Sequence, residues 1–158
     1  MISYCHFSSP LGCITIVQNG EAITHLHIGE APALPAEAVQ QDTPLLQEAC
    51  RQLSEYFAQT RQIFDLPLAP AGTEFQRKVW GALCTIPYGQ TRTYKDMAVA
   101  IGCPKGFRAV GLANNKNPIA ILIPCHRVIG ANGKMVGYAG GLHLKKFLLE
   151  LEGIPISE

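Results

Sequence analysis

A chain of 158 residues, 47% hydrophobic and 16% charged, with fifteen Gly and eleven Pro, fits one large domain or two small ones and excludes disorder, collagen and coiled coil. No apolar run approaches the roughly 18 residues of a membrane span, and the opening MISYCHFSSP lacks the basic head and apolar core of a secretory signal. The formal net charge of +1 hides a split: residues 1–70 hold two Lys/Arg and seven Asp/Glu, net −5, whereas residues 71–149 hold eleven and two, net +9.

Taken in chain order, two β-rich runs come first, Gly12–Gln18 and Ala22–Ile28. Asn19-Gly20 between them is a hairpin signal, and Pro10-Leu11-Gly12 marks another turn. Residues 29–37 hold Pro32 and Pro35 and read as a loop. Thr43-Pro44 opens a helix, with Thr as N-cap and Pro at the first helical position; Leu46, Cys50, Leu53 and Phe57 follow at helical spacing. Phe64–Leu68 reads as a short strand. Residues 66–72, Leu-Pro-Leu-Ala-Pro-Ala-Gly, mark the domain boundary, where the charge changes sign. This predicts an α/β domain over residues 1–70 and a second domain over 71–158.

The second domain reads as helical with interruptions. Thr73 caps a helix carrying Phe75, Val79, Trp80 and Leu83, which ends at Pro87-Tyr88-Gly89. Thr93 caps another, with Tyr94, Met97, Ala98 and Ile101 on one side. After the break at Gly102-Cys103-Pro104, a third helix is expected from about Pro104 to Asn114. Two short helices joined by a glycine-bearing turn resemble a helix-turn-helix, and its place in the basic block favours DNA binding over a merely solvated basic face. The apolar run Ile119–Ile123, between Pro118 and Pro124, must be buried. A turn at Asn132-Gly133, a glycine-rich segment at 137–141 and an amphipathic helix over Leu142–Glu152 complete the chain.

The six cysteines form no Cys-x-x-Cys pair, so reduced thiols in the cytoplasm are expected. Cys5, His6, Cys13, His25 and His27 crowd the first thirty residues but match no paired zinc spacing, and no metal is expected. The chemistry concentrates instead at Pro124-Cys125-His126-Arg127. A neighbouring cation or imidazole lowers a thiol's pKa toward a reactive range, so Cys125 is a candidate nucleophile with His126 as base or relay. The plain alternative is a buried Cys packed as a small hydrophobe. In an extended segment, adjacent side chains point to opposite faces. Contact between Cys125 and His126 then needs a bend or a bridging water.

Residues 117–129, Asn-Pro-Ile-Ala-Ile-Leu-Ile-Pro-Cys-His-Arg-Val-Ile, resemble the active-site signature of the O6-alkylguanine-DNA alkyltransferases. The likeness runs from Phe75-Gln76 through Tyr94, Arg108-Ala109-Val110-Gly111 and Tyr138-Ala139-Gly140-Gly141 to residues 148–153. Ser9-Pro10-Leu11-Gly12 resembles the family's N-domain more loosely. The resemblance implies an α+β fold, with a small ribonuclease H-like N-domain before a mainly helical, winged-helix-like DNA-binding domain. It implies irreversible, single-turnover transfer of an alkyl group from O6-alkylguanine in DNA, with O4-alkylthymine as a further candidate substrate. It assigns Cys125 as acceptor, His126 as base through a water, and Glu152 as the group holding His126. Asn117 would brace the turn before the active-site segment, and Tyr94 would donate a proton to the departing guanine. Arg108 would fill the gap left by a flipped nucleotide, and Lys105, Ala109 and Gly111 would lie on the DNA. Val128, Tyr138 and Ala139 would line the substrate pocket.

The implied partner is double-stranded DNA, entered from the minor groove, for a cytoplasmic monomer with no cofactor, no metal and no membrane partner. Two positions depart from some members: Ala139 stands where they carry Ser, and Ala120 where they carry Pro. The competing readings are a thiol hydrolase using Cys125 and His126, a non-catalytic alkylation-damage sensor and a helix-turn-helix regulator. Cys125 argues against the sensor, and the apolar run into Cys125 would have no purpose in the regulator.

Overall fold

The computed structural model describes residues 1–133, 135, 138 and 141–156. The chain divides into two compact units, Met1–Ala71 with Pro118–Leu122, and Gly72–Asn117 with Ile123–Glu158. Among the described residues, no helix is long and apolar enough to cross a membrane.

In the first unit, β1 (Ile2–Ser9), β2 (Gly12–Asn19) and β3 (Ala22–Ile28) form an antiparallel meander. β4 (Val39–Gln40) adds parallel to β1, giving the order β3-β2-β1-β4. The hairpin turns at Gly20-Glu21, one residue beyond the expected Asn19-Gly20, because Asn19 still pairs with Ala22; Gly20 takes a φ of +65° at no steric cost. β1 is not among the expected strands. Its buried residues are Ser3 and Cys5, next to Tyr4 and His6, so the usual apolar–polar alternation is inverted. α1 (Pro44–Phe57) starts at its expected cap, with Leu46 N–H donating to Thr43 Oγ1 at 3.1 Å. It buries Leu46, Ala49, Leu53 and Tyr56 in a core shared with Ile14 and Ile16.

The strand expected over Phe64–Leu68 shrinks to one bridge between Leu68 and Ile23. Pro67 and Pro70 have no N–H with which to extend a ladder. Ile23 N–H donates to Pro67 O at 2.9 Å, and Ala69 N–H to Ile23 O at 2.8 Å. Further along the same strand, Leu26 N–H donates to Pro118 O at 2.9 Å, and Ala120 N–H to Leu26 O at 3.3 Å. Two distant segments therefore cap the outer edge of β3, which would otherwise present unpaired backbone groups.

The second unit holds α2 (Glu74–Leu83), α3 (Tyr94–Ala100), α4 (Phe107–Asn115) and α5 (Leu142–Leu151). β5 (Arg92–Thr93) and β6 (Val128–Ile129) pair in parallel. Thr73 and Thr93 form full capping boxes with Gln76 and Asp96, each satisfying two N-terminal donors. Trp80 Nε1–H donates to Ala113 O at 2.8 Å and joins α2 to α4. Gly72 lies flat against Trp80: a Cβ there would fall 2.5 Å from the indole ring.

α3, a turn with Gly102 at φ +82°, and α4 make the helix-turn-helix. α4 begins at Phe107 rather than at Pro104, because Pro104 and Lys105 are spent in the turn. Gly106 is its N-cap and offers no side-chain bond. Together the units give a mixed α+β fold, a sheet unit and a helical DNA-binding-type unit.

Candidate active site

The apolar run is buried as its composition requires, with Ile119, Ile121 and Ile123 at 2% exposure or less, but it is not a strand. Ile121 takes a φ of +71°, a conformation rare for a β-branched residue, and the chain folds back. Cys125–Arg127 then forms one turn of 3₁₀ helix. The extended arrangement considered from sequence is thus replaced by a bend, which buries Cys125, His126 and Arg127 together.

His126 Nε2–H donates to Glu152 Oε2 at 2.7 Å, with both side chains fully buried. Arg127 closes on the same carboxylate, Nε to Oε1 at 2.8 Å and a terminal nitrogen to Oε2 at 3.0 Å. Its other terminal nitrogen donates to Ile86 O at 2.8 Å. Gly89 N–H adds a bond to Glu152 Oε1 at 3.2 Å. Glu152 is the C-cap of α5, where the helix dipole disfavours an acid; four donors and a cation hold it there.

With Nε2–H committed to Glu152, His126 Nδ1 is a bare acceptor. It is buried and meets no protein partner. Burial holds the imidazole below its ordinary pKa, against the upward pull of the Glu152 bond and charge. The ring is therefore neutral at pH 7 and able to take a proton at Nδ1.

The thiol of Cys125 is pushed above its usual range, chiefly by burial. The neighbouring polar groups of Asn117 and Tyr138 and the charge of Lys145 pull it back. Asn117 is braced by its own bond from Nδ2–H to Ile123 O at 2.8 Å. The hydroxyl of Tyr138 is raised well above its normal pKa by burial and by the thiolate's charge. Tyr94 is pushed up to about 12 by burial, then by the charge of Cys125, so at neutral pH it keeps its proton. Cys125, His126, Glu152, Asn117, Tyr94 and Tyr138 are thus brought into one site.

The other expected residues fall into two groups. Arg108, Ala109 and Lys105 are exposed on or just before α4. Gly111 faces Tyr94, with space for a Cβ only 3.7 Å from its ring. Val128 is fully buried on β6, three residues after Cys125. Ala139 lies outside the described residues.

Three residues that sequence reasoning missed also belong to the site. Arg127 is one, although it is part of the motif. Asn114 is another, with Nδ2–H donating to Cys125 O at 3.3 Å. The third is Lys145, fully buried, with Nζ 5.8 Å from the centre of the Tyr94 ring. A buried lysine on an otherwise amphipathic helix is invisible to periodicity, which treats Lys as a solvent-facing residue. Burial lowers Lys145 to about 8, which costs roughly 3 kcal/mol of stability at neutral pH. The sign follows from linkage: the cost is full below pH 8 and is relieved as pH rises toward the unfolded value of 10.5. Lys145→Met is expected to be more stable at pH 7 by about 2–3 kcal/mol, with the gap narrowing above pH 8, and to react more slowly. Urea unfolding at pH 7 and pH 9.5 reads both terms.

Among the described residues, no group of three or more His, Cys, Asp or Glu is placed to hold a metal ion.

Comparison with known proteins agrees with this geometry. Residues 2–70 match the ribonuclease-like domain of 6-O-methylguanine DNA methyltransferase, and residues 74–154 match the DNA-binding domain of the same family. The methylated-DNA–protein-cysteine methyltransferase of Methanosarcina barkeri is 53% identical over 152 residues, covering 94% of this chain and 96% of its own. The constitutive enzyme of Bacillus subtilis is 47% identical over 161 residues, covering 98% of each. A crystal structure of Mycobacterium tuberculosis OGT in complex with DNA superposes with a TM-score of 0.89 at 47% identity, covering 95% of this chain and 92% of that one. The chain belongs to the 6-O-methylguanine DNA methyltransferases, the methylated-DNA–protein-cysteine methyltransferase family of direct-reversal DNA repair.

Proposed function

We propose that Cys125 is the alkyl acceptor and that the reaction consumes the protein. The observation that carries this reading is the buried His126–Glu152 pair, whose free Nδ1 has no protein partner beside a buried thiol. A water between Nδ1 and the Cys125 sulfur would complete the relay. The thiol passes its proton through that water to His126, and Glu152 stabilises the imidazolium that forms. The sulfur displaces guanine O6 from the alkyl carbon, forming a C–S bond as the C–O bond breaks.

The leaving oxygen needs a proton or hydrogen bonds. Tyr94 retains its proton at neutral pH and supplies it; Tyr138 lines the pocket beside the thiol. Lys145, close to both Cys125 and Tyr94, stabilises the negative charge while it moves between them. The thioether product has no group beside it able to cleave it, so turnover ends there. Intact-mass analysis with an O6-methylguanine oligonucleotide tests this: one methyl replaces one proton, mapped to Cys125. Repeated turnover, or transfer to another cysteine, overturns it.

DNA binding falls to the second unit. Its charge supports contact with the phosphates, with affinity falling by a log–log slope of about 0.9 per neutralised phosphate. The exposed face of α4 joins Arg108 and Leu112, four residues apart, the latter 69% exposed. A cation beside an apolar wedge on a helix with the small Ala109 suits entry into the minor groove of a duplex. The alkylated base would be flipped into the pocket, by a monomer acting on cytoplasmic DNA. Residues 1–70 would serve as scaffold and residues 71–158 would carry the chemistry.

Arg108→Ala is expected to slow repair of duplex DNA by about 100-fold, the scale of the few kcal/mol that unstacking costs. Reaction with free O6-methylguanine base, which needs no flipping, should be nearly unchanged. Equal losses on both substrates would place Arg108 in the fold or the relay.

A further inference from the structure

The first unit holds a second thiol site that the repair chemistry does not use. Cys5 on β1 and Cys50 on α1 place their sulfurs 3.7 Å apart, although 45 residues separate them in sequence. Cys5 is buried, Cys50 is half-buried, and both are free thiols. The remaining cysteine of this unit, Cys13, lies 3.8 Å from a His6 ring nitrogen. We propose that Cys5 and Cys50 form a redox-responsive dithiol, which a peroxide closes into a disulfide that clamps α1 to β1.

The two thiols are not equivalent. The contact between them pulls the Cys50 thiol down and, with burial, pushes the Cys5 thiol up. Cys50 is thus the more acidic thiol and, being partly exposed, the one a peroxide reaches. Its sulfur attacks a peroxide oxygen; the O–O bond breaks, and the departing hydroxide takes a proton to become water. Cys50 is left as a sulfenic acid. The Cys5 sulfur then attacks the Cys50 sulfur, and the S–O bond breaks. The hydroxyl leaves with the Cys5 proton as a second water. Two thiols lose two electrons and two protons, and one peroxide accepts them all.

Cys125 is the contrasting case. It is buried and held above its normal pKa, which disfavours the same oxidation. The clamp would therefore close while the acceptor stays reduced. Closing a loop of this length restricts the unfolded chain and is expected to raise the thermal midpoint by roughly 5 °C.

The test treats the full chain with limiting hydrogen peroxide and maps peptides without reduction. A Cys5–Cys50 crosslink is expected before any change at Cys13, Cys84, Cys103 or Cys125, together with a higher thermal midpoint and intact methyl transfer. Cys5→Ser should leave Cys50 stranded as a sulfenic acid that dimedone captures, and Cys50→Ser should abolish both products. Prior oxidation of another cysteine would overturn the dithiol. A crosslink that leaves the midpoint unchanged or lower would overturn the clamp.

Discussion

Cys125→Ala should abolish alkyl transfer, a loss of at least about 10⁴-fold, while DNA binding survives. The two phenols of the site do not take the thiol's place: Tyr94 and Tyr138 are both held protonated at neutral pH. The substitution removes one sulfur from a buried position that also makes backbone bonds, Cys125 N–H to Ile123 O at 2.8 Å, and Ala keeps these. The stability cost is about 1 kcal/mol, the scale of one small buried group. Intact mass after exposure to methylated duplex should stay unshifted, and fluorescence anisotropy should give the parent's affinity. Methylation of the variant at Cys84 or Cys103, the exposed thiols of the second unit, would move the chemistry elsewhere.

Glu152→Gln carries the second largest effect, on both rate and stability. The carboxylate is the shared acceptor of His126, Arg127 and Gly89. An amide keeps the shape but presents one donor edge to groups that are all donors. Arg127 is then a buried cation without its counter-charge, a loss of about 3–5 kcal/mol. His126 loses the partner that orients it and stabilises its protonated form, so transfer should slow by about 10²–10⁴-fold. Single-turnover rates and urea unfolding of the same sample separate the two effects.

The pH dependence gives a further control. The folded-state pKa of His126 is below its unfolded value of 6.5, so between those values the unfolded chain binds more protons. The stability that the neutral ring contributes is present above pH 6.5 and is lost as pH falls through that window. Transfer should likewise persist below pH 6.5 before it declines.

Local signals carried the fold where they were chemical rather than periodic. The caps Thr43, Thr73 and Thr93 stand where they were expected because each satisfies backbone groups by itself, and the Asn19-Gly20 signal found the hairpin, one residue before its turn at Gly20-Glu21. β1 escaped because its buried side chains are Ser3 and Cys5, and hydrophobic alternation cannot see them. The Phe64–Leu68 strand failed because its prolines deny it a ladder. At the candidate site, Cys125 and His126 were legible from a contiguous motif. Asn114 and Lys145 were not, since they come from different helices and meet only after folding. Even within the motif, the sequence left open how Cys125 and His126 could face one site. The bend that turns them inward depends on Ile121 in a left-handed conformation, a state its side chain disfavours.

The capping of β3 by Pro118–Ala120 bears on the order in which the chain can mature. Leu26 pairs with Ile119 across 93 residues, so the N-terminal sheet keeps an open edge until most of the polypeptide has been made. Domains emerging from the ribosome usually fold as units, N-terminal first, but this one must wait for a segment that lies immediately before the acceptor motif. Such a distant pairing raises contact order and slows closure. The meander, α1 and the Pro67–Ala69 cover over Ile23 can condense early, whereas the Leu26 end of the β3 edge seals only when the stretch leading to Cys125 arrives. A nascent chain stalled before residue 118 would therefore expose that edge, and limited proteolysis of stalled chains should cut near β3 until synthesis passes Leu122.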